Sequence, residues 1–270
     1  RVSNLKLSEN GSTIVLGQPH SFRDYDVKIL RNVNNNWVQV GSNINSDIHV
    51  TSISISDDGN VVAIGSPLGE SNGVETGYVK VYENINNEFI QVGSNIAGKF
   101  KGDYYGESID LSGDGSVVAF SSPKYKTKET NGKQRSDLIV YENVRGEWNQ
   151  IGSDIIGEIA SDYPGWRVSI SQDGSMVAIG SVAGLERNDD VKIYKNTNNK
   201  WTLISEINNS KKSVLSMSSD GSIVANGYYN SNEETGNVRV LSISKSESIP
   251  EKGNSTENID NNSSQTVNNN

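Results

Sequence analysis

The stretch Val168-Ser169-Ile170-Ser171-Gln172-Asp173-Gly174-Ser175-Met176-Val177-Ala178-Ile179-Gly180 decides how this chain folds. Val168 and Ile170, then Met176, Ala178 and Gly180, lie at period two on either side of Gln172-Asp173-Gly174, which is the spacing of strands and not of a helix. Two short strands around so tight a turn form an antiparallel hairpin. Gly174 is expected at positive φ, where a Cβ is disfavoured, and Asp173 can accept hydrogen bonds from the turn backbone. Ser-x-Asp-Gly is therefore read as a structural turn.

The same hairpin starts at Leu5, Ile53, Ile109 and Leu215, with turn glycines at Gly11, Gly59, Gly115, Gly174 and Gly221, which are 48, 56, 59 and 47 residues apart. A third strand follows each hairpin, at Val27 to Leu30, Val79 to Tyr82, Leu138 to Tyr141, Val191 to Tyr194 and Val238 to Leu241. A fourth surrounds Trp37, Phe89, Trp148 and Trp201, and three of these end in Gly41-Ser42, Gly93-Ser94 and Gly152-Ser153. One aromatic per repeat at a constant offset is expected to seal neighbouring sheets. Four strands in about 50 residues make one propeller blade. The chain is thus expected to be all-β, a propeller of about five four-stranded blades over residues 1–244, with repeats near 1–48, 49–100, 101–158, 159–209 and 210–244. The fifth repeat has no recognisable fourth strand, so that blade is three-stranded or the chain is part of a larger ring. Residues 245–270, almost devoid of apolar side chains, are expected to be a disordered tail.

Composition narrows the function. Only 33% of residues are hydrophobic, which suits a core divided into thin layers between sheets. A formal charge of −9 argues against a nucleic-acid-binding face, which needs clustered Lys and Arg. No cysteine is present, so disulfides and thiol chemistry are excluded. No apolar run approaches the roughly 20 residues that span a bilayer, so no membrane insertion is expected of this segment. Pro19, Pro67 and Pro123 recur just after the second strand and mark the entrance to a loop.

Gly102-Asp103-Tyr104-Tyr105-Gly106-Glu107-Ser108-Ile109, running through Asp114-Gly115 to Ser121-Ser122-Pro123, resembles a degenerate Phe-Gly-x-Ser to Gly-Ala-Pro repeat. Asp162 to Val168 with Ile179-Gly180-Ser181, and Val62-Ala63-Ile64-Gly65-Ser66-Pro67, carry parts of two more. The chain resembles the FG-GAP repeat proteins, whose best-known member is the propeller of integrin α chains; WD40 blades are similar too and imply the same fold. The calcium-binding repeats of that family carry further acidic residues in the loop, whereas Ser116-Val117-Val118-Ala119 follows Asp114-Gly115 here. No calcium site is carried over from the family: Asp57 with Asp58, or Asp110 with Asp114, are the paired carboxylates an Asp-rich turn offers to calcium, too few for its six to eight oxygen ligands unless loops help, so no cofactor or metal is expected.

Function is expected on the face formed by the loops from second to third strand and from one blade to the next, which differ most between repeats. Tyr104, Tyr105, Tyr125, Tyr163, Trp166, Arg167 and Tyr228 are the candidate ligand-binding residues there, Tyr105 and Trp166 also being read as repeat positions that plug the ring between blades. Only His20 and His49 are available for acid–base work, and no convergent set of carboxylates recurs, so no enzyme is expected. The resemblance implies a noncatalytic module that binds a protein or glycan partner outside a cell or on its surface. An intracellular, cytoplasmic WD40-like assembly scaffold and a glycan-processing propeller are the alternatives.

Overall fold

The computed structural model describes residues 2–21, 24–46, 50–124, 134–160, 167–180, 191–207, 214–230 and 235–243. The expected disordered tail at 245–270 lies outside them. Blade 1 comprises β1 (Asn4–Leu7), β2 (Thr13–Ser21), β3 (Asp24–Val33), β4 (Asn36–Gln39) and β5 (Ile44–Ser46). Blade 2 comprises β6 (Ser52–Ile55), β7 (Val61–Ser66), the small hairpin β8 (Glu70–Ser71) and β9 (Val74–Glu75), β10 (Tyr78–Ile85), β11 (Glu88–Gln91) and β12 (Ile96–Ala97). In blade 3 are β13 (Ile109–Leu111), β14 (Val117–Lys124), β15 (Gln134–Val144), β16 (Glu147–Gln150) and β17 (Ile155–Ala160). Blade 4 holds β18 (Arg167–Ile170), β19 (Met176–Gly180), β20 (Val191–Thr197) and β21 (Lys200–Ile207), and blade 5 holds β22 (Val214–Met217), β23 (Ile223–Asn230) and β24 (Thr235–Ser242).

Each blade is an antiparallel meander with its first strand innermost, and the fifth has three strands among the described residues. The molecule is an all-β, five-bladed propeller. Inner strand β1 lies against β6, β6 against β13, β13 against β18 and β18 against β22. The hairpin turns are stitched from blade to blade by backbone bonds: Asn10 N to Asp57 O (3.4 Å), Asp57 N to Gly113 O (2.9 Å), Gly113 N to Gln172 O (2.9 Å) and Gln172 N to Ser219 O (2.8 Å). Ser219 Oγ reaches Glu9 Oε1 at 3.2 Å, which brings blade 5 back to blade 1.

The turn chemistry is as the sequence implies. In blade 2, Asp58 Oδ1 accepts from Ser56 Oγ (2.7 Å) and Asn60 N (2.9 Å), while Ser56 Oγ accepts from Val61 N (2.9 Å). Gly59, Gly115, Gly174 and Gly221 have φ between +69° and +75°. They also lie so close to Thr13, Val61, Val117 and Met176 of the preceding blade that an added Cβ would sit within 2.8 Å of a side-chain atom. Between third and fourth strands the turn is Asn34-Asn35, Asn86-Asn87, Arg145-Gly146 or Asn198-Asn199, with both residues at positive φ, the type I′ geometry that matches strand twist.

Packing occurs in layers between blades. Val15, Val27 and Ile29 of blade 1 bury against Ile53, Val62 and Ile64 of blade 2. Val79 and Val81 meet Ile109, Val118 and Phe120; Leu138 and Val140 meet Val168 and Val177; Val191 and Ile193 meet Val224. Each fully buried aliphatic side chain contributes on the order of 1.5–3 kcal/mol.

Two details differ from the sequence reading. Gly-Ser does not end the outer strand: after this kink the chain pairs again with the third strand, as β5 on β3 through Ile44 and Val27, β12 on β10, and β17 on β15. Pro19 and Pro123 lie within β2 and β14, opposite Tyr25 and Ser136, because the hairpin from second to third strand continues past them; an irregularity follows Pro19.

Candidate functional site

Two places concentrate polar side chains where a ligand could reach them. The first is a cavity of about 350 Å³ on the axis, walled by all five inner strands. Alternation places Lys6, Ser54, Asp110, Ser169 and Ser216 on its lining. Asp110 is bound on both oxygens: Ser54 Oγ donates to Oδ1 (2.9 Å), and Ser169 Oγ (3.3 Å) and Ile170 N (3.1 Å) donate to Oδ2. Burial pushes its carboxyl pKa up, against the pull of Lys6 and these hydrogen bonds. Ser54 Oγ also accepts from Leu111 N (3.1 Å), and Ser169 Oγ from Met217 N (3.1 Å), so the same side chains link blades 2 to 5. Asp110 thus works as an inter-blade tie.

The second place is the platform between blades 2 and 3, on the face opposite the Ser-x-Asp-Gly turns. The loop after β12 is fastened to the end of the β8–β9 hairpin by Gly102 N to Glu75 O (3.0 Å), Tyr105 N to Thr76 O (3.2 Å) and Gly98 N to Gly77 O (3.1 Å). Asp103, itself buried, caps the loop from inside, its Oδ2 accepting from Lys99 N and Phe100 N, both at 2.8 Å. Ser122 Oγ holds the Asp103 carbonyl at 2.7 Å. The result is a hydrogen-bonded projection whose tip presents Phe100, 69% exposed, between exposed Lys99 and Lys101. Lys101 Nζ lies 3.5 Å from Glu75 Oε2.

Of the residues expected to bind ligand, Tyr104 is half-buried at φ +51° in the loop that carries Phe100. Tyr105 is buried, its ring 5.1 Å from that of Phe120 in the layer between blades 2 and 3, and burial pushes its phenol pKa well up. It is part of the core, as its repeat position suggests. Arg167 is exposed at the start of β18, and the backbone of Tyr228 lies in β23 opposite Asn237. Tyr125, Tyr163 and Trp166 lie outside the described residues. The structure therefore places Tyr104 and Phe100 on one loop. Sequence reading missed Phe100, although it breaks the repeat pattern: an aromatic in an inter-blade loop, flanked by lysines, has no equivalent that packing requires.

The paired acids considered for calcium lie apart in role: Asp58 and Asp114 are bound within their turns, Asp57 accepts from Gln172 Nε2, and Asp110 faces the axis. Among the described residues no three His, Asp or Glu side chains gather as metal ligands. His20 Nε2 lies 3.0 Å from Asp26 Oδ2, and His49 lies outside the described residues.

No family model matches the chain, and no curated protein matches it. Solved structures similar to it include two described as propellers. Hydrazine synthase of Kuenenia stuttgartiensis matches with a TM-score of 0.60 at 15% identity, over 89% of this chain and 62% of that one. The propeller domain of the trilobed protease of Pyrococcus furiosus, described as having an open velcro topology, matches with a TM-score of 0.56 at 10% identity, over 89% and 68%. TolB of Acinetobacter baumannii matches at 0.54 and 13%, over 90% and 52%. The chain thus spans about three-fifths of the hydrazine synthase chain and half of TolB. At these identities the likeness shows the fold alone.

Proposed function

We propose that this propeller is a noncatalytic binding module of the FG-GAP type, which holds a protein or carbohydrate partner on the face that carries the blade 2–3 platform. The observation that supports this reading is the projection itself: buried Asp103 and the backbone bonds to Glu75 and Thr76 hold exposed Phe100 between two lysines. An aromatic ring that folding does not bury, held on a preordered loop, has little conformational entropy left to lose on association. Such residues dominate binding energy in protein interfaces, and an aromatic face also stacks on sugar rings. The lysines on either side of Phe100 supply a polar rim. The axial Asp110 is engaged by three donors as a tie between blades, and of the other carboxylates that line the cavity Asp57 is bound by Gln172 Nε2 and Glu9 by Ser219 Oγ, so each already serves a junction between blades. The module acts in adhesion outside the cell or on its surface.

The test is a parallel screen of the 270-residue chain on a glycan array and against surface proteins, repeated with Phe100→Ala. A ligand whose affinity drops at least tenfold in the variant, with unfolding unchanged, supports the reading. A ligand that binds both proteins equally, or turnover of a glycan, overturns it.

A further inference from the structure

Among the described residues the fifth blade has no outer strand, and three separate features mark where one belongs. The first is the outer edge of β24, which pairs with β23 on one side and with no described strand on the other. On its face toward blade 1, Val238 and Val240 are 52% and 50% exposed, whereas their counterparts Val79 and Val81 in blade 2 are buried against blade 3 at 0% and 2% exposed. The second is Trp37. In blades 3 and 4 the outer-strand indole donates to the carbonyl just before the Gly-Ser of the preceding blade: Trp148 Nε1 to Val92 O and Trp201 Nε1 to Ile151 O, both 2.9 Å. Trp37 of blade 1 is 43% exposed, and its Nε1 has no acceptor among the described residues. The third is the seam between blades 5 and 1. Leu5, Leu7 and Ile223 are exposed there, and Gly11 has nothing within 4 Å of its Cβ position, unlike its four counterparts.

The missing element has a definable chemistry. Asn36 to Ile44, Glu88 to Ile96 and Glu147 to Ile155 share the pattern x-(Trp or Phe)-x-Gln-(Val or Ile)-Gly-Ser-(Asn or Asp)-Ile. The glutamine braces the kink by bonding the Asn or Asp four residues on, at 3.0, 3.0 and 2.7 Å. The residue before the glycine and the final Ile point into the junction with the next blade, as Val40 and Ile44 do. The glycine must lack a Cβ, because at Gly93 one would lie 2.7 Å from Gly146 O and 2.9 Å from Trp148 Cδ1.

We propose that blade 5 is completed by an extended segment of this nine-residue pattern, which adds to β24 as an antiparallel strand, offers its pre-glycine carbonyl to Trp37 Nε1 and wedges its Val or Ile and terminal Ile into the seam. Residues 244–270 contain no aromatic residue and no such pattern. A second copy of this chain has its three matching segments already paired in its own blades. The segment therefore comes from polypeptide outside these 270 residues. Strand addition of this kind draws its affinity from main-chain bonds and its specificity from alternate side chains.

The probe is a synthetic peptide with the sequence of residues 86–97, which contains no tryptophan, titrated into the 270-residue chain. Saturable binding is expected, with a blue shift of tryptophan emission that disappears in Trp37→Phe and slowed amide exchange confined mainly to 235–242. Val in place of the peptide glycine that corresponds to Gly93 is expected to weaken binding at least tenfold. Unchanged exchange at 235–242 with peptide in millimolar excess, or equal binding by the valine peptide, overturns the proposal. So does a dimer in sedimentation whose β24 amides are already protected, since the edge would then be occupied by a second copy.

Discussion

Asp110 and the turn aspartates carry charges of opposite consequence. In Asp58, Asp114 and Asp173 burial raises the pKa, but the following backbone N–H and the neighbouring hydroxyl or amide groups outweigh it, so the net shift is downward. A carboxyl held below its unfolded value of about 3.9 stabilises the fold above that pH and ceases to do so as pH falls through its folded pKa. Urea midpoints are accordingly expected to drop below about pH 4. Asp110 is shifted upward, chiefly by burial, so its contribution runs the other way: the fold prefers it protonated, and stability falls as pH rises through the folded pKa. Asp110→Asn, which keeps one acceptor oxygen for Ile170 N and, like the protonated acid, turns a donor toward the Ser54 hydroxyl, is expected to raise the midpoint at pH 7, by an amount that shrinks on acidification. Asp110→Ala strands those donors and is expected to cost about 1–3 kcal/mol. A lower midpoint for the Asn variant at pH 7 contradicts this account. Glycine offers a second comparison at this scale. Gly11→Ala meets no atom and is expected to cost about 1 kcal/mol through its positive φ alone, whereas Gly115→Ala also strikes Val61 at 2.5 Å and is expected to cost clearly more in thermal unfolding.

At the scale of the strand, the outer-strand tryptophans behave differently according to what lies before them. Trp148→Phe and Trp201→Phe each remove an indole donor bonded to the preceding blade and are expected to cost about 1 kcal/mol by denaturant titration. Trp37→Phe, with no such bond among the described residues, is expected to be near neutral; equal losses at all three positions would show that the ring packing alone matters. The hairpins and third strands were legible in the sequence because turn chemistry and period-two alternation are local, so Gln172-Asp173-Gly174 and Val191 to Tyr194 declare themselves. The resumption of pairing at Ile44, Ile96 and Ile155 was not, because a two- or three-residue strand has too few positions to show alternation and is decided by the neighbouring β3, β10 and β15. Phe100 was hidden for a different reason. Its exposure depends on the cap by Asp103 and on contacts with Glu75 and Thr76, which lie 24 or more residues before it and leave no local pattern.

For the whole molecule the governing fact is that stability comes from junctions between blades, each with its own apolar layer. Repeat architectures of this kind are held by nearest-neighbour interfaces, so the seam between blades 5 and 1 is expected to open first. Native-state hydrogen exchange should therefore be fastest in β1 and β22–β24 and slowest in β7, β10 and β14; protection spread evenly over the five blades would contradict that order. The ring itself is tested most directly by the distance between Glu9 and Ser219. With no native cysteine, Glu9→Cys and Ser219→Cys can be spin-labelled cleanly, beside a reference pair at Gln172 and Ser219 on adjacent blades. Closure predicts a short distance for the first pair, close to the reference, as the Ser219–Glu9 hydrogen bond requires. A first-pair distance spanning the width of an open arc, with the reference pair still short, would contradict a five-bladed ring.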